Sequence, residues 1–143
     1  RQAMTARRAI ILLDGLDEIS IAAPTHGFEL KDNQVVPITI QPGDYGHDFR
    51  SLDGLQVSAP GDSVNLIRSA LDGATKEPNQ KARAIIAMNA GAGIYISGRA
   101  DSLAAGVARA TEALNSGGAA SKLTEFVSFT RALSSESDAR SGA

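Results

Sequence analysis

Ala9 to Leu13 reads Ala-Ile-Ile-Leu-Leu, an unbroken apolar run with Arg7 and Arg8 before it and Asp14-Gly15 behind it. With no polar alternation, neither side of the run is suited to water. It predicts a short buried strand covered on both faces. Together with the hairpin and helices that follow, it reads as an α/β piece whose other strands are missing.

A second β signal comes next. Thr25 to Leu30 alternates loosely, Lys31-Asp32-Asn33-Gln34 favours a turn, and Val35 to Ile40 alternates again. That predicts a β-hairpin over Thr25 to Gln41, with Pro37 placing the return strand at a sheet edge. Gln41 to Gly61 is rich in Gly, Pro and Asp and reads as irregular.

From Asp62 the period becomes helical. Asp62 or Ser63 caps a helix with Val64, Ile67 and Leu71 on one face, and Gly73 ends it. Asn79 to Ser97 is an Ala-rich helix with Ala82, Ile85, Ile86 and Ile94 as its buried stripe. Gly91 and Gly93 inside it each cost about 1 kcal/mol of helix propensity relative to Ala, so both are expected where a neighbouring backbone comes close. Ser102 caps a third helix with Leu103, Val107, Ala110 and Leu114 inward and Gly117-Gly118 behind it. Ser121 caps a fourth, with Leu123, Phe126, Val127 and Leu133 inward. Residues 134–143 hold no large apolar side chain and read as a disordered polar tail. Residues 1–133 therefore form the folded part: strand, hairpin, then helices, with no internal repeat.

The chain has 143 residues, enough for one domain with a core. Fourteen basic and 16 acidic side chains are spread along it for a net charge of −2. No basic stripe exists to neutralise a row of phosphates, so nucleic acid is not the expected partner. The absence of cysteine excludes disulfides, thiolate metal sites and cysteine nucleophiles. It fits a reducing, cytoplasmic setting. No apolar run approaches the roughly 18 residues of a membrane span. Arg1 opens the sequence almost directly into the first strand, which reads as a chain cut from something longer.

The chemistry concentrates in Asp14-Gly15-Leu16-Asp17-Glu18-Ile19-Ser20. In open α/β sheets ligands sit beyond the carboxyl ends of strands. Three carboxylates within five residues repel one another unless a cation lies among them, and hard oxygen donors suit Mg²⁺, held by one or two carboxylates plus substrate phosphates and water. The simpler reading stands beside it: Asp17 or Glu18 caps a following turn. His26 and His47 lack metal-ligand spacing and read as solvated or structural. Ser20, Ser58 and Ser63 lack a nucleophile-elbow context. Gly91-Ala92-Gly93 lies inside a helix and not after a strand, so it reads as helix packing and not as a phosphate loop. Lys76, Lys81 and Arg83 read as a solvated basic group.

These segments resemble the anthranilate phosphoribosyltransferases. Asp14 to Ser20 is similar to that family's DGLDEIS, and Ile40 to Gly46 to its P-x-D-F/Y-G stretch. Gly61-Asp62 with Asn65 looks like its GD...N helix start. Asn89-Ala90 through Tyr95-Ile96-Ser97-Gly98 resembles its NAAAALYVAG helix, and Ser102 to Val107 its SLAEGV. The matches are collinear from about Arg8 to Leu133.

The resemblance implies the C-terminal portion of a nucleoside-phosphorylase-like α/β catalytic domain, without the family's N-terminal helical domain. It implies transfer of phosphoribose from phosphoribosyl pyrophosphate to anthranilate in tryptophan biosynthesis, with Asp17 and Glu18 as ligands of the Mg²⁺ that accompanies pyrophosphate. The family's Gly-rich phosphoribosyl pyrophosphate loop and its anthranilate-contacting residues are expected upstream and no catalytic residue is assigned within the segment, so by itself it is expected to be inactive, either as part of a homodimeric enzyme or associated with the missing N-terminal part. One departure is plain: Ile11-Leu12-Leu13 stands where the family has a His-Gly pair. That leaves a non-catalytic binding or assembly module of the same fold as the other reading.

Overall fold

The computed structural model describes residues 8–12 and 17–141, with the backbone alone for 135–141. Strands β1 (Arg8–Leu12), β2 (Thr25–Lys31) and β3 (Gln34–Ile40) form an antiparallel sheet in the order β1-β2-β3. The hairpin closes through Asp32 and Asn33, both at positive φ (50° and 61°). Two such residues in a two-residue loop match the right-handed twist of the strands, and short polar side chains tolerate that region best. β3 is an edge strand, as Pro37 requires, and Phe28 pairs across to it.

The sheet has two unlike faces. Thr25, Gly27 and Ile40 are buried on the inner one, while Ile11, Phe28 and Val35 are exposed on the other. The first strand is therefore not covered on both faces. Ile11 is 62% exposed, because among the described residues no layer lies over the face it shares with Phe28. Arg7 and Leu13 of that expectation fall outside the described residues.

A 3-10 turn over Pro42–Tyr45 leads into the irregular segment, and beyond it lie four helices: α1 (Pro60–Leu71), α2 (Asn79–Ile96), α3 (Leu103–Asn115) and α4 (Gly118–Ser141). α1 begins earlier than the Asp62 or Ser63 cap predicts, at Pro60, whose fixed φ and missing N–H suit the first helical position. Asp62 then lies in the first turn, where its charge favours the helix N-terminus. Ser102 caps α3 by accepting from the Ala105 N–H at 3.1 Å, and Val107, Ala110 and Leu114 are buried as their spacing predicts.

The core has two parts. Ile19, Ile21, Ile40, Ala84, Met88 and Val107 join the hairpin, the segment after β1, and the α2–α3 pair. Leu71, Ala87, Ala110 and Leu114 join α1, α2 and α3, with Leu123 of α4 packed against them. α2 and α3 cross closely because two glycines meet. A Cβ on Gly91 would stand 2.6 Å from the Val107 Cα and N, and one on Gly106 would stand 2.2 Å from the Gly91 carbonyl oxygen. Gly93, by contrast, has nothing within 4 Å of such an atom, so close approach does not explain it.

Several side chains turn the other way from their expected faces. Val64 and Ile67 of α1 and Phe126 and Leu133 of α4 are 43–62% exposed, whereas Leu123 and Val127 are half-buried. On α2 Ala82 is buried as expected, and the rest of the buried stripe is Ala84, Ala87, Met88, Gly91 and Tyr95, with Ile85, Ile86 and Ile94 at its margins. Lys81 and Arg83 are structural and not solvated. Lys81 is buried and donates to the Asp53 carbonyl at 3.1 Å, and Arg83 donates to the Ala70 carbonyl at 2.5 Å and to Asn115 Oδ1 at 2.7 Å. α4 starts at Gly118 and not behind a Ser121 cap. Its backbone continues to Ser141, where the sequence predicts a disordered tail. No Pro or Gly interrupts 119–141, so nothing stops the helix although nothing apolar anchors its end.

Candidate metal centre

Asp17 and Glu18 are the first described residues after β1, and both are exposed. Asp17 is left-handed (φ 58°), and the chain bends at the acidic pair. Neither carboxylate is held in an ion pair among the described residues. Asp14 and Gly15 of the same motif lie outside them.

The chain immediately beyond Glu18 is firmly anchored. Ile19, Ser20 and Ile21 are 0–2% exposed, and burying an isoleucine side chain contributes about 1.5–3 kcal/mol. The Ile19 N–H donates to Asn89 Oδ1 at 2.8 Å, and Asn89 Nδ2 donates back to the Ile19 carbonyl at 3.0 Å. The Ser20 N–H donates to Thr25 Oγ1 at 3.0 Å, and Ser20 Oγ accepts from the Ala22 N–H at 3.1 Å. That local hydrogen bond and its burial make Ser20 a structural serine. The two carboxylates thus project from an anchored stretch, one and two residues outside the point where α2 grips it.

Two adjacent, exposed hard-oxygen donors fit Mg²⁺, whose remaining positions are filled by water and substrate phosphate. Among the described residues, no group of three or more His, Cys, Asp or Glu is placed to enclose a metal. Glu18 also lines a cleft of about 490 Å³ with Leu52, Leu55, Val57, Ile67 and Ile85.

The other candidates sit elsewhere. His26 is exposed, with Nδ1 hydrogen-bonded to Thr39 Oγ1 at 3.1 Å. His47 is half-buried, stacks on Phe49 and leaves Nε2 without a partner among the described residues. Its pKa falls below the ordinary 6.5 because burial disfavours the charged ring. A three-member tie invisible in the sequence joins the sheet to α2. The Arg8 guanidinium lies 4.5 Å over the Tyr95 ring and donates to the Tyr95 carbonyl, while the Tyr95 hydroxyl donates to Glu29.

The sequence model of the glycosyl transferase family, a/b domain, matches residues 2–120. The chain belongs to this family. Among its curated relatives, the anthranilate phosphoribosyltransferase of Teredinibacter turnerae is 54% identical over 117 residues, covering 82% of this chain and 34% of that protein. The enzyme of the same name from Marinomonas sp. is 47% identical over 122 residues, covering 85% and 35%. The crystal structure of anthranilate phosphoribosyltransferase from Thermus thermophilus superposes with a TM-score of 0.74 at 30% identity, covering 87% of this chain and 36% of that one. The chain thus spans about a third of the length of the curated relatives it matches, and the match is to the C-terminal part of the enzyme. The acidic pair and its anchor fall inside the stretch matched to the glycosyl transferase family.

Proposed function

We propose that this chain is the metal- and pyrophosphate-facing part of an anthranilate phosphoribosyltransferase, which joins anthranilate to phosphoribosyl pyrophosphate and releases pyrophosphate in tryptophan biosynthesis. The observation that carries the reading is the exposed Asp17–Glu18 pair on a buried, hydrogen-bonded anchor, within a chain whose curated relatives bear that name.

The chain's own residues hold charge in place. Asp17 and Glu18 would supply negative oxygens beyond β1, and the buried, hydrogen-bonded stretch Ile19–Ile21 holds the backbone next to them. A magnesium ion bound between them would neutralise charge that develops on the leaving pyrophosphate, more so in the transition state than in the ground state. Without the cation the same two carboxylates would repel the diphosphate, so the pair also makes binding of the substrate dependent on the metal. The groups that bind anthranilate and the ribose belong to the remaining two thirds of the relatives' length. The complete enzyme is expected to be cytoplasmic, and to work as a homodimer or through association of this part with the remainder. Among the described residues no helix is long and apolar enough to cross a membrane.

The test uses the complete transferase carrying this segment. Asp17→Asn combined with Glu18→Gln keeps the shape and removes the charge. Phosphoribosyl-anthranilate formation is then followed against magnesium concentration. Half-maximal activity should require about ten-fold or more magnesium. An unchanged magnesium dependence removes the metal role.

A further inference from the structure

We propose that Asn89 is a positioning residue for the acidic pair, acting from α2 through the Ile19 peptide groups. The inference rests on the metal reading above. A polar side chain in an Ala-rich helix needs a reason, and Asn89 makes three hydrogen bonds. Its Nδ2 donates to the Ile85 carbonyl of its own helix at 2.9 Å, which fixes the plane of the amide. That leaves Oδ1 and the second Nδ2 proton aimed at one residue, and they bind both the N–H and the carbonyl of Ile19 at 2.8 and 3.0 Å. A two-point contact of this kind sets orientation as well as distance. Ile19 is bonded directly to Glu18, and from Ile19 to Ile21 the chain is buried. Asn89 is therefore the outermost fixed point before the carboxylates, and it transfers the position of α2 to them.

A cap or a filler would not bracket both peptide groups of a single residue seventy positions away. Removing the amide should leave the Ile19 side chain in the core while the Glu18–Ile19 peptide gains freedom to turn. The carboxylates then lose a shared orientation and not their chemistry. Outer groups that orient metal ligands commonly matter by ten-fold or more in metal affinity.

The experiment compares Asn89→Leu, similar in size but without hydrogen-bonding atoms, with Asn89→Ala in the complete transferase; either variant suffices if the other fails to fold. Two quantities are read. One is hydrogen exchange at the Ile19 amide in the metal-free protein. The other is Mn²⁺ affinity in the presence of inorganic pyrophosphate, measured by electron paramagnetic resonance. Exchange should quicken at least ten-fold, and Mn²⁺ affinity should fall about ten-fold or more. Leu114→Ala, which removes packing in the other core cluster, without Ile19, should lower the melting temperature and leave Mn²⁺ affinity alone. Unchanged Mn²⁺ affinity in the Asn89 variants overturns the proposal, as does an equal loss in Leu114→Ala. If Asp17→Ala with Glu18→Ala also leaves affinity unchanged, the metal reading itself has failed. If that double variant releases the ion while the Asn89 variants keep it, only the positioning role falls.

Discussion

Changing Gly91 to Ala adds one methyl group at the point where α2 crosses α3. By propensity alone the change should stabilise α2 by about 1 kcal/mol. The new carbon, however, would lie 2.6 Å from the Val107 Cα and N and 2.7 Å from its Cγ2, where carbon contacts ordinarily settle at about 3.5–4.0 Å. Two of those atoms are backbone and cannot rotate away, so the helices must separate by about 1 Å. Separation also loosens Val107 against Met88 and Ile19 in the larger core cluster. Overpacking of this kind costs about 1–3 kcal/mol, so against the propensity gain the net expectation is a loss of up to about 2 kcal/mol. Gly93 is the internal control. It lies on the same helix, exposed, with nothing near its missing Cβ, so Gly93→Ala should gain about 0.5–1 kcal/mol. Thermal melts of the two variants should therefore move in opposite directions, by roughly 4 °C per kcal/mol for a domain of this size. Gly91→Ala melting at or above the parent, or Gly93→Ala falling as far as Gly91→Ala, would refute the helix-crossing argument.

Burial, together with donation to Glu29, pushes the Tyr95 phenol above its ordinary 10.0, so the hydroxyl stays a neutral donor at physiological pH. Tyr95→Phe should lower stability by about 1–2 kcal/mol in urea titrations, because Glu29 is left half-buried without that donor. His47 supplies a pH signature. Its folded pKa lies below 6.5, so the unfolded chain takes up the proton first as pH falls, and stability present above 6.5 is lost through the weakly acidic range. His47→Gln should flatten that part of the melting-temperature profile relative to the parent; an identical slope in both would show that the ring is not responsible.

Local chemistry was the legible part of this chain. The hairpin, its Asp32-Asn33 turn, the edge position of Pro37 and the Ser102 cap each depend on residues close in sequence, and each is present. Periodicity identified apolar faces but not the neighbours that would cover them. Val64, Ile67, Phe126 and Leu133 have the right spacing and remain exposed, because whether a face is buried depends on what packs against it. Gly91 and Gly93 are indistinguishable by propensity, and only the path of α3 separates them. Lys81 reads as a surface lysine because its partners, the Asp53 carbonyl and Ser51, lie in an irregular segment about thirty residues upstream. At the candidate site, the acidic pair was visible as three clustered carboxyl groups. Its anchor was not, since the Asn89–Ile19 contact spans seventy residues and Asn89 entered the sequence reading only as the first residue of the Asn89–Gly98 resemblance.

The most direct measurement replaces magnesium by Mn²⁺ in the complete transferase with selectively methyl-labelled isoleucines and tracks their NMR signals as pyrophosphate is added. Ile19 adjoins the acidic pair and is held rigidly, so its methyl signal should broaden strongly once metal and pyrophosphate are both present. A sharp Ile19 signal under conditions where Mn²⁺ is demonstrably bound would place the ion elsewhere and contradict the assignment of Asp17 and Glu18.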